Sequence, residues 1–490
     1  MASRGSLRFV RRGRIVTLDQ VPPMRTVLDY LRLEEKSKGT KEGCNEGDCG
    51  ACTVALGSLR DGRLVYEPVN ACILLLGQID GKELVTVDDL ADGGKLHPVQ
   101  QAMADLHASQ CGFCTPGFVM ALFALYHAGK APTRQDIVDQ IAGNLCRCTG
   151  YRPIVDAAAR TCTGKALDRW ASQARETAAL LTQLHDGSDL FAGTAESFIA
   201  RPASAATLCS LAAEHPDATI VSGATDVGLW ITKQMRDLPR IILTGGVAEL
   251  HAISEDDAML SIGAAATYAE AEPSLARLHP DLGEVLRRIG SRQVRASGTV
   301  GGNIANGSPI GDTPPMLIAL DARLHLRHRA RVRSLDLEEF FIAYCKQDRA
   351  PGELVWRVDV PKLAANQVFR SYKISKRFDQ DISAVMAAFR FTLDGRRVAD
   401  ARIAFGGMAA TPRRGRKAEA AIRGAALDDP ASWAGAIHAL AEDFQPISDM
   451  RASAAYRMKV AQGLMGKALI EISGTAQKST RVIVSERETA

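Results

Sequence analysis

The sequence CNEGDCGAC, residues 44–52, decides how the N-terminal part of this chain folds. It places Cys44, Cys49 and Cys52 in one loop, and a fourth cysteine, Cys72, lies further along the chain. The spacing C-x4-C-x2-C with a distant fourth cysteine is typical of a [2Fe–2S] site of the plant type, in which four thiolates surround a compact cluster. A structural zinc site is the alternative, but zinc sites favour pairs of C-x2-C. We therefore predict a [2Fe–2S] cluster on these four residues, which we call the first cysteine set.

A second group of four cysteines follows, which we call the second cysteine set: Cys111, Cys114, Cys146 and Cys148. The pattern is C-x2-C and then C-x-C, and by itself it also fits a redox dithiol or a zinc site. Pro116 suits the start of a helix directly after Cys114, where the helix dipole stabilises thiolate charge. Two such loops at one end of a helical bundle would present four sulfurs to one cluster. The spacing favours a second iron–sulfur cluster and leaves the alternatives open.

Length and composition limit the remaining possibilities. A chain of 490 residues divides into about three domains. Its 60 basic and 56 acidic residues are nearly balanced, so we predict no nucleic-acid partner. Residues 1–14 lack the apolar segment of a secretory signal, and no apolar run of about 18 residues occurs, so we predict no membrane association and a cytoplasmic location. In a reducing compartment the clustered cysteines are read as metal ligands rather than disulfides.

Hydrophobic patterning suggests an α+β chain of several domains. Residues 7–18 predict a β-hairpin, residues 98–160 carry four short helical patterns, and the polar stretch 168–188 predicts a partly helical linker. Residues 323–333 predict an antiparallel strand pair. The remaining cysteines, which are Cys162, Cys209 and Cys345, are expected to be small buried hydrophobic residues. The ten histidines show no metal-binding spacing and are expected to be ordinary surface or core residues.

Two glycine-rich segments are candidates for ligand binding. Residues 219–228 (TIVSGATDVG) predict a strand, a glycine turn and a helix start, a layout that holds anionic phosphate on backbone amides. Residues 299–312 (TVGGNIANGSPIGD) predict a loop with short polar side chains, although such loops are also common turns. Neither G-x-G-x-x-G nor a Walker A sequence is present. Residues 373–385 (KISKRFDQDISAV) by themselves predict a charged surface loop that enters a helix.

Longer motifs connect these segments to a known family. QCGFCTPGFVM (residues 110–120), NLCRCTGYRPI (residues 144–154) and GCNEGDCGACTV (residues 43–54) resemble the iron–sulfur motifs of the xanthine dehydrogenase family of molybdenum hydroxylases. This resemblance implies that both cysteine sets bind [2Fe–2S] clusters. Residues 219–228 and 299–312 are similar to the family's FAD loops. The implied FAD residues are Ser222, Gly223, Ala224, Thr225, Asp226, Thr299, Gly302, Asn303 and Asp312, with Lys376, Arg377 and Asp381 as further candidates near the flavin and the nicotinamide entrance.

The resemblance also implies a domain order. It comprises a plant-type ferredoxin-like β-grasp domain, a four-helix-bundle [2Fe–2S] domain, an FAD-binding α+β domain similar to vanillyl-alcohol oxidase, and a C-terminal α+β flavoprotein subdomain. The corresponding boundaries are 5–90, 91–165, a linker at 166–188, 189–362, 363–474 and a flexible tail at 475–490.

The function that the resemblance implies is electron transfer as the small iron–sulfur/FAD subunit of a bacterial xanthine dehydrogenase. A molybdopterin-binding large subunit, in an α2β2 heterotetramer, would oxidise hypoxanthine or xanthine to urate. Electrons would pass through both clusters to FAD and then to NAD+, and no residue of this chain would hydroxylate the purine. The alternative is the equivalent subunit of another molybdenum hydroxylase that acts on aldehydes or N-heterocycles. Many of those enzymes separate the iron–sulfur and flavin parts, so their fusion here favours xanthine dehydrogenase.

Overall fold

The computed structural model describes residues 3–474. The tail predicted at 475–490 lies outside the described residues. Within residues 3–474, no helix combines the length and the apolar character that crossing a membrane requires. Strands and helices are both abundant and are distributed among four sheets of four or five strands, a small two-stranded hairpin and a group of helices.

The N-terminal domain is a five-stranded sheet that holds the first cysteine set. The predicted hairpin is confirmed, and its first strand pairs in parallel with the last strand of the domain. In sheet order, the strands are Arg14–Leu18, Leu7–Arg11, Glu83–Val85, Thr53–Arg60 and Arg63–Asn70. The helical segments are Val27–Asp29, the π-helical turn Tyr30–Glu34, Leu76–Ile79 and Val87–Leu90. Thr26 Oγ1 caps the first of these by accepting a hydrogen bond from Asp29 N–H.

The helical domain contains the four predicted helices. They are Pro98–Asp105, Thr115–Tyr126, Arg134–Ile141 and Arg152–Thr161. Prolines at the first turns of three helices and a Thr133–Asp136 capping box set their starts. Helix Thr115–Tyr126 is almost entirely buried and packs on the N-terminal sheet, so Ala55, Tyr66 and Val85 of that sheet share its core. Two linker helices follow at Arg169–Ser172 and Ala174–Leu184.

The central domain has two sheets. The strands of its first sheet, in order, are Ser3–Arg4, Asp189–Gly193, Phe198–Arg201, Arg240–Leu243 and Thr219–Val221. Ser3–Arg4 thus pairs in parallel with Asp189–Gly193, far away in sequence. Helices Ala205–Glu214 and Val227–Thr232 accompany this sheet. Residues Leu190, Ile199 and Ile241 lie in the same core cluster as the N-terminal domain, so these two domains are packed together.

The second sheet of the central domain is antiparallel throughout. Its strands, in order, are Ile253–Glu255, Met259–Gly263, Leu354–Pro361, Arg323–His328 and Arg331–Asp336, which confirms the predicted pair at 323–333. The helical segments are Ala248–Leu250, Tyr268–Leu278, Pro280–Arg287, Arg292–Ser297, Val300–Asn306, Thr313–Ala319 and Leu337–Phe340. A small hairpin joins Phe341–Ala343 to Lys346–Gln347.

The C-terminal domain packs helices against a four-stranded antiparallel sheet. The strands, in order, are Gln367–Ile374, Val385–Asp394, Arg397–Gly406 and Arg413–Arg414. The helical segments are Arg416–Ile422, Pro430–Trp433, Ala434–Asp443 and Ala454–Ser473. Phe369 and Met386 of this sheet join the core of the second central sheet. The domain boundaries given above remain predictions, and the core clusters extend across them.

Three local predictions were wrong. Residues 299–312 are not wholly a loop, because Thr299 caps a helix at Val300–Asn306, which Gly307 ends in the left-handed conformation. The segment after Ile374 leads into strand Val385–Asp394 rather than a helix, because it connects two antiparallel neighbours. Cys345 is exposed, since it occupies the turn of the small hairpin.

Candidate functional site

The first cysteine set is drawn together by its loop. The backbone N–H groups of Asp48 and Cys49 donate to Cys44 Sγ at 3.3 and 3.2 Å, and Cys44 N–H donates to Cys49 Sγ at 3.3 Å. Cys52 Sγ and Cys72 Sγ are 3.2 Å apart. Hydrogen bonds from the Cys49 side chain and from backbone N–H groups lower the pKa of the Cys44 thiol to about 5. Converging thiols with backbone donors aimed at sulfur are the environment that a thiolate-bound cluster requires.

Glycine is required at one position of this loop for space as well as conformation. Gly50 has φ +68, and a Cβ there would lie 2.2 Å from Gly143 O and 2.5 Å from Asn144 Nδ2. Both of those atoms belong to the segment that leads to Cys146. The loop of the first set therefore touches the loop of the second set, backbone against backbone.

The second cysteine set lies at the end of the helical domain. Cys114 immediately precedes helix Thr115–Tyr126, and Cys146 and Cys148 lie in the loop before helix Arg152–Thr161. Burial and a hydrogen bond with Cys146 raise the pKa of the Cys114 thiol to about 12, and a hydrogen bond with Cys111 raises the pKa of Cys148. The four thiols thus form two contacting pairs, Cys114 with Cys146 and Cys111 with Cys148, and each pair has one thiol from each loop. This arrangement suits a shared cluster. Cys111 and Cys148 are exposed.

A direct hydrogen bond connects the two sets. Leu145 N–H, which precedes Cys146, donates to Cys49 O at 3.0 Å. Asn144 Nδ2 also donates to Gly50 O at 2.9 Å. The two loops are thus joined at Cys49, which is a predicted ligand, and at residues one or two positions from predicted ligands.

A cavity of about 560 Å³ lies between the two glycine-rich segments of the central domain. This volume is in the range of small-molecule and cofactor sites. Eight of the predicted FAD residues line it: Ser222, Gly223, Ala224, Thr225, Asp226, Thr299, Gly302 and Asn303. Ala224 adopts φ +59, a conformation that costs energy for a residue with a side chain and that concentrates at functional sites. The cavity is therefore the candidate FAD site.

One residue that lines the cavity, Thr244, was not predicted from the sequence, and its surroundings indicate whether the cavity suits a polar ligand. Thr244 Oγ1 is buried, lines the cavity and has no hydrogen-bond partner among residues 3–474. Buried polar atoms are nearly always paired, and each exception calls for a missing partner. A ligand rich in hydrogen-bonding groups, as FAD is, fits this unpaired hydroxyl. No spacing signal marked Thr244, because it follows a strand without any motif of its own.

The other four predicted FAD residues lie outside this cavity. The Asp312 carboxylate accepts hydrogen bonds from Lys373 Nζ and Ser383 Oγ in a buried site. Lys376 donates to Met450 O at 2.7 Å, and Arg377 N–H donates to Asp381 Oδ2 at 2.8 Å. The bonds of Lys376 with Met450 and of Ser383 with Asp312 tie the segment after strand Gln367–Ile374 to other parts of the protein, whereas the Arg377–Asp381 bond lies within the segment.

The N-terminal domain contacts the cavity wall. Gln78 Nε2 donates to Ser222 O at 2.8 Å. Lys233, just after helix Val227–Thr232, donates to Cys44 O. Gly228 in that helix lies against Ile73, the residue after Cys72, and a Cβ there would be 2.8 Å from Ile73 O. The first cysteine set therefore lies beside the candidate FAD site.

Histidines that showed no pattern in the sequence meet in the structure. Asp168 Oδ2 lies 2.7 Å from His97 Nε2 and 2.8 Å from His127 Nε2. His97 Nδ1 accepts a hydrogen bond from Val99 N–H, so the ring proton of neutral His97 is on Nε2 and points at Asp168. Burial opposes ionisation, but the hydrogen bonds from His127 and His97 lower the pKa of the Asp168 carboxyl. The arrangement is a hydrogen-bonded clamp between helices and linker rather than a set of free metal ligands.

Sequence models of four domain families match successive parts of the chain. They are described as a 2Fe-2S iron-sulfur cluster binding domain (residues 10–76), a [2Fe-2S] binding domain (residues 86–159), an FAD binding domain in molybdopterin dehydrogenase (residues 193–363) and a CO dehydrogenase flavoprotein C-terminal domain (residues 370–472). These matches confirm the predicted fold class and the predicted [2Fe–2S] and FAD cofactors.

Similar whole proteins were also found. A xanthine dehydrogenase of Emericella nidulans is 32% identical over 99% of this chain and 40% of the relative. A xanthine dehydrogenase/oxidase of Mus musculus is 31% identical over 82% of this chain and 34% of the relative. The chain thus spans about 34–40% of the length of these relatives.

Solved structures share the fold of more than half of the chain. Quinoline 2-oxidoreductase from Pseudomonas putida 86 matches with a TM-score of 0.52 and 27% identity, over 58% of this chain and 99% of that one. CO dehydrogenase from Oligotropha carboxidovorans matches with a TM-score of 0.53 and 25% identity, over 56% and 97%.

Proposed function

We propose that this chain, which belongs to the molybdenum hydroxylase family, is the electron-transfer subunit of a xanthine dehydrogenase. In this proposal a partner subunit carries molybdopterin and oxidises hypoxanthine or xanthine to urate. NAD+ is the final electron acceptor, and two copies of each subunit form an α2β2 heterotetramer in the cytoplasm. The observation that carries the proposal is a chain of hydrogen bonds: the loops of the two complete cysteine sets are bonded to each other, and Gln78, in the domain of the first set, is bonded to Ser222 of the candidate FAD site.

The chain's own residues bind and position the cofactors in this proposal. When bound, the clusters carry single electrons and FAD exchanges hydride with nicotinamide. The eight cysteines are the proposed ligands, and backbone N–H groups around Cys44 and Cys49 stabilise thiolate charge. The eight cavity residues would hold FAD. Through its bond with Lys373, Asp312 would hold in place the segment that follows helix Val300–Asn306. Lys376, Arg377 and Asp381 would border the nicotinamide entrance.

The positions of the cysteine sets suggest which one meets the partner. Cys111 and Cys148 of the second set are exposed, whereas Cys52 and Cys72 of the first set are buried. The domain of the first set contacts Ser222 through Gln78, and Lys233 donates a hydrogen bond to Cys44 O. We infer that the second set faces the molybdenum subunit and the first set faces the flavin. Electrons would then enter at the exposed end and leave at the cavity.

Substitution of Thr244 tests the FAD site. Thr244→Val keeps the shape of the side chain and removes an oxygen that is unpaired without ligand, so we expect FAD affinity to fall about ten-fold, the value of one hydrogen bond. The stability of the flavin-free protein should not fall. The matched control is Thr40→Val, which removes another buried hydroxyl, outside the cavity, that has no hydrogen-bond partner in the described part of the chain. Equal FAD affinity in Thr244→Val and wild type, measured by fluorescence titration, would contradict this placement.

A second experiment tests the function. The purified chain with its clusters and FAD should oxidise NADH with a dye as acceptor and should not convert xanthine to urate. An affinity-tagged chain should bring down a molybdenum-containing subunit from its native cells, and the complex should reduce NAD+ with xanthine. Urate production by the chain in the verified absence of molybdenum would overturn the proposal.

The second candidate function is the same role in a different molybdenum hydroxylase. It is favoured by the structural matches, which cover 97–99% of the quinoline 2-oxidoreductase and CO dehydrogenase chains, whereas the xanthine dehydrogenases are covered only in part. Assays of the purified complex with xanthine, an aldehyde and an N-heterocycle separate the candidates. A complex that oxidises an aldehyde or quinoline but not xanthine would establish the second one.

A further inference from the structure

Three buried polar side chains meet where the N-terminal, helical and central domains come together. They are Thr53, Asn144 and Gln293, each about 1% exposed, and we call them the junction. Gln293 Nε2 donates to Asn144 Oδ1 at 2.8 Å and to Thr53 Oγ1 at 3.2 Å. Asn144 Nδ2 donates in turn to Gly50 O at 2.9 Å, and so does Thr53 Oγ1 at 2.7 Å. The last two bonds end on Gly50 O, in the loop of the first cysteine set.

Glycines around the junction leave no free space between the loops. A Cβ on Gly117 would lie 2.1 Å from Gly50 O. A Cβ on Gly143 would lie 2.1 Å from Gln293 Oε1 and 2.5 Å from Ser291 Cβ. The Gly117 contact is against backbone and cannot be accommodated, and the Gly143 contacts show that Gln293 and Ser291 pack directly on the backbone that leads to Asn144.

Gln293 and Gly50 together fix the orientation of Asn144. Because Gly50 O can only accept, Asn144 turns its NH₂ toward Gly50 and its oxygen toward Gln293, which supplies the matching donor. Gln293 Oε1 is buried without a partner among the described residues, so the donor side is the part of this amide that makes bonds. Helix Arg292–Ser297, capped by Ser291, holds Gln293 in place. At its other end Ser297 O lies against Gly223 of the cavity wall.

We infer that Gln293, a side chain of the FAD-binding part, is a positioning residue that sets the distance between the two cysteine loops. It acts through Asn144. The next residue, Leu145, donates a hydrogen bond to Cys49 O of the first set, and the residue after that, Cys146, belongs to the second set. The inference deepens the proposed function and rests on it only in that both cysteine sets hold clusters. It means that spacing between two iron–sulfur sites is controlled from the flavin side of the molecule.

The test compares variants of the complete chain loaded with both clusters and FAD. Gln293→Met keeps the length of the side chain and removes the donor. Thr53→Val removes the hydroxyl with little change of shape, and Thr53→Ser restores it. The matched control is Arg292→Met, which breaks the Arg292–Glu67 ion pair between the same helix and the N-terminal domain but leaves the junction intact.

The main measurement is the magnetic splitting between the two reduced clusters in the low-temperature EPR spectrum. Dithionite is the reductant because it bypasses FAD, so the result decides the role of Gln293 even if NADH proves not to be a substrate. We expect the splitting to be lost in Gln293→Met, to be reduced in Thr53→Val, and to be retained in Thr53→Ser and Arg292→Met. With NADH as reductant, reduction of the second set should slow by about ten-fold or more, and reduction of the first set should not change.

Wild-type splitting in both Gln293→Met and Thr53→Val, with full iron and flavin content, would overturn the inference. Equal loss of splitting in Arg292→Met would also overturn it, because general docking of the domains would then account for the spacing. If Gln293→Met fails to fold, Thr53→Val and Thr53→Ser still provide the comparison.

Discussion

The two cysteine sets have the same number of ligands and opposite surroundings. Cys52 and Cys72 of the first set are 2% and 1% exposed and belong to the core that the N-terminal domain shares with the central domain. Cys111 and Cys148 of the second set are exposed. The first set is therefore part of what holds two domains together, whereas half of the second set is at the surface of its domain. Cysteine spacing identifies both as metal sites but does not distinguish a ligand in the core from one at the surface.

Serine substitutions should have the largest effect, because each removes a whole cluster, and they should separate the two sets by stability. Cys72→Ser is expected to remove the first cluster and to lower the free energy of unfolding of the cluster-free protein by about 1–3 kcal/mol, because it buries an unpaired hydroxyl in the core. Cys148→Ser should remove the second cluster and leave the stability of the cluster-free protein within about 0.5 kcal/mol of wild type. Iron content, EPR and denaturant unfolding measure both effects. Similar destabilisation by the two variants would contradict the contrast.

Glycine substitutions should sharpen the contrast within the loops. Gly50→Ala meets Gly143 O and Asn144 at less than 3 Å and also has positive φ, so a loss of about 3–5 kcal/mol is expected. Gly112, between Cys111 and Phe113, also has positive φ, but a Cβ there meets nothing within 4 Å. Gly112→Ala should therefore cost only about 1–2 kcal/mol of conformational strain. Chemical denaturation of the two variants is the measurement, and equal losses would show that the Gly50 contact is not tight.

A smaller effect is expected in the pH dependence of the free energy of unfolding, and it comes from the buried Glu83 of the N-terminal domain. Burial raises the pKa of Glu83 from 4.5 to about 7, although Tyr66 O–H donates a hydrogen bond to it. Because the folded pKa is the higher one, this contribution to stability is complete below pH 4.5 and is lost as the pH rises through about 7. The loss should be up to about 3 kcal/mol.

The Glu83 prediction is checked by comparing wild type with Glu83→Gln between pH 4.5 and 8. The difference in their free energies of unfolding should change across this range in the direction that weakens wild type at high pH. A constant difference would show that Glu83 does not titrate in the folded protein within this window.

The elements and ligands that the sequence predicts depend on local pattern. The hairpin at residues 7–18 and the four helices follow from periodicity and turn residues. The resemblance of the two glycine-rich segments to the family's FAD loops implied eight residues that line the cavity, and the motifs that carry this resemblance are short and local. Local chemistry of this kind is visible without knowledge of the fold.

Contacts between distant residues were not predictable in the same way. Gln293 is ordinary in its own helix, and only packing brings it to Asn144 and Thr53. Thr244 and the Asp168 clamp follow the same rule, since each acquires its role from residues far away in sequence. The helix at Val300–Asn306 was missed because glycine disfavours helix, while close packing of Gly301 against Ala264 demands glycine at that position.

The strand Ser3–Arg4 has a consequence for how the chain is divided. It pairs with Asp189–Gly193, and Arg4 also donates a hydrogen bond to Ser188, so Ser3 and Arg4 are built into the sheet that follows the linker. A proteolytic nick within residues 166–188 would leave two fragments that stay together, because one supplies an edge strand to the other and both share a core. We expect two polypeptides divided at the same place to associate, because the shared strand pairing and core join the iron–sulfur and flavin parts in addition to the backbone.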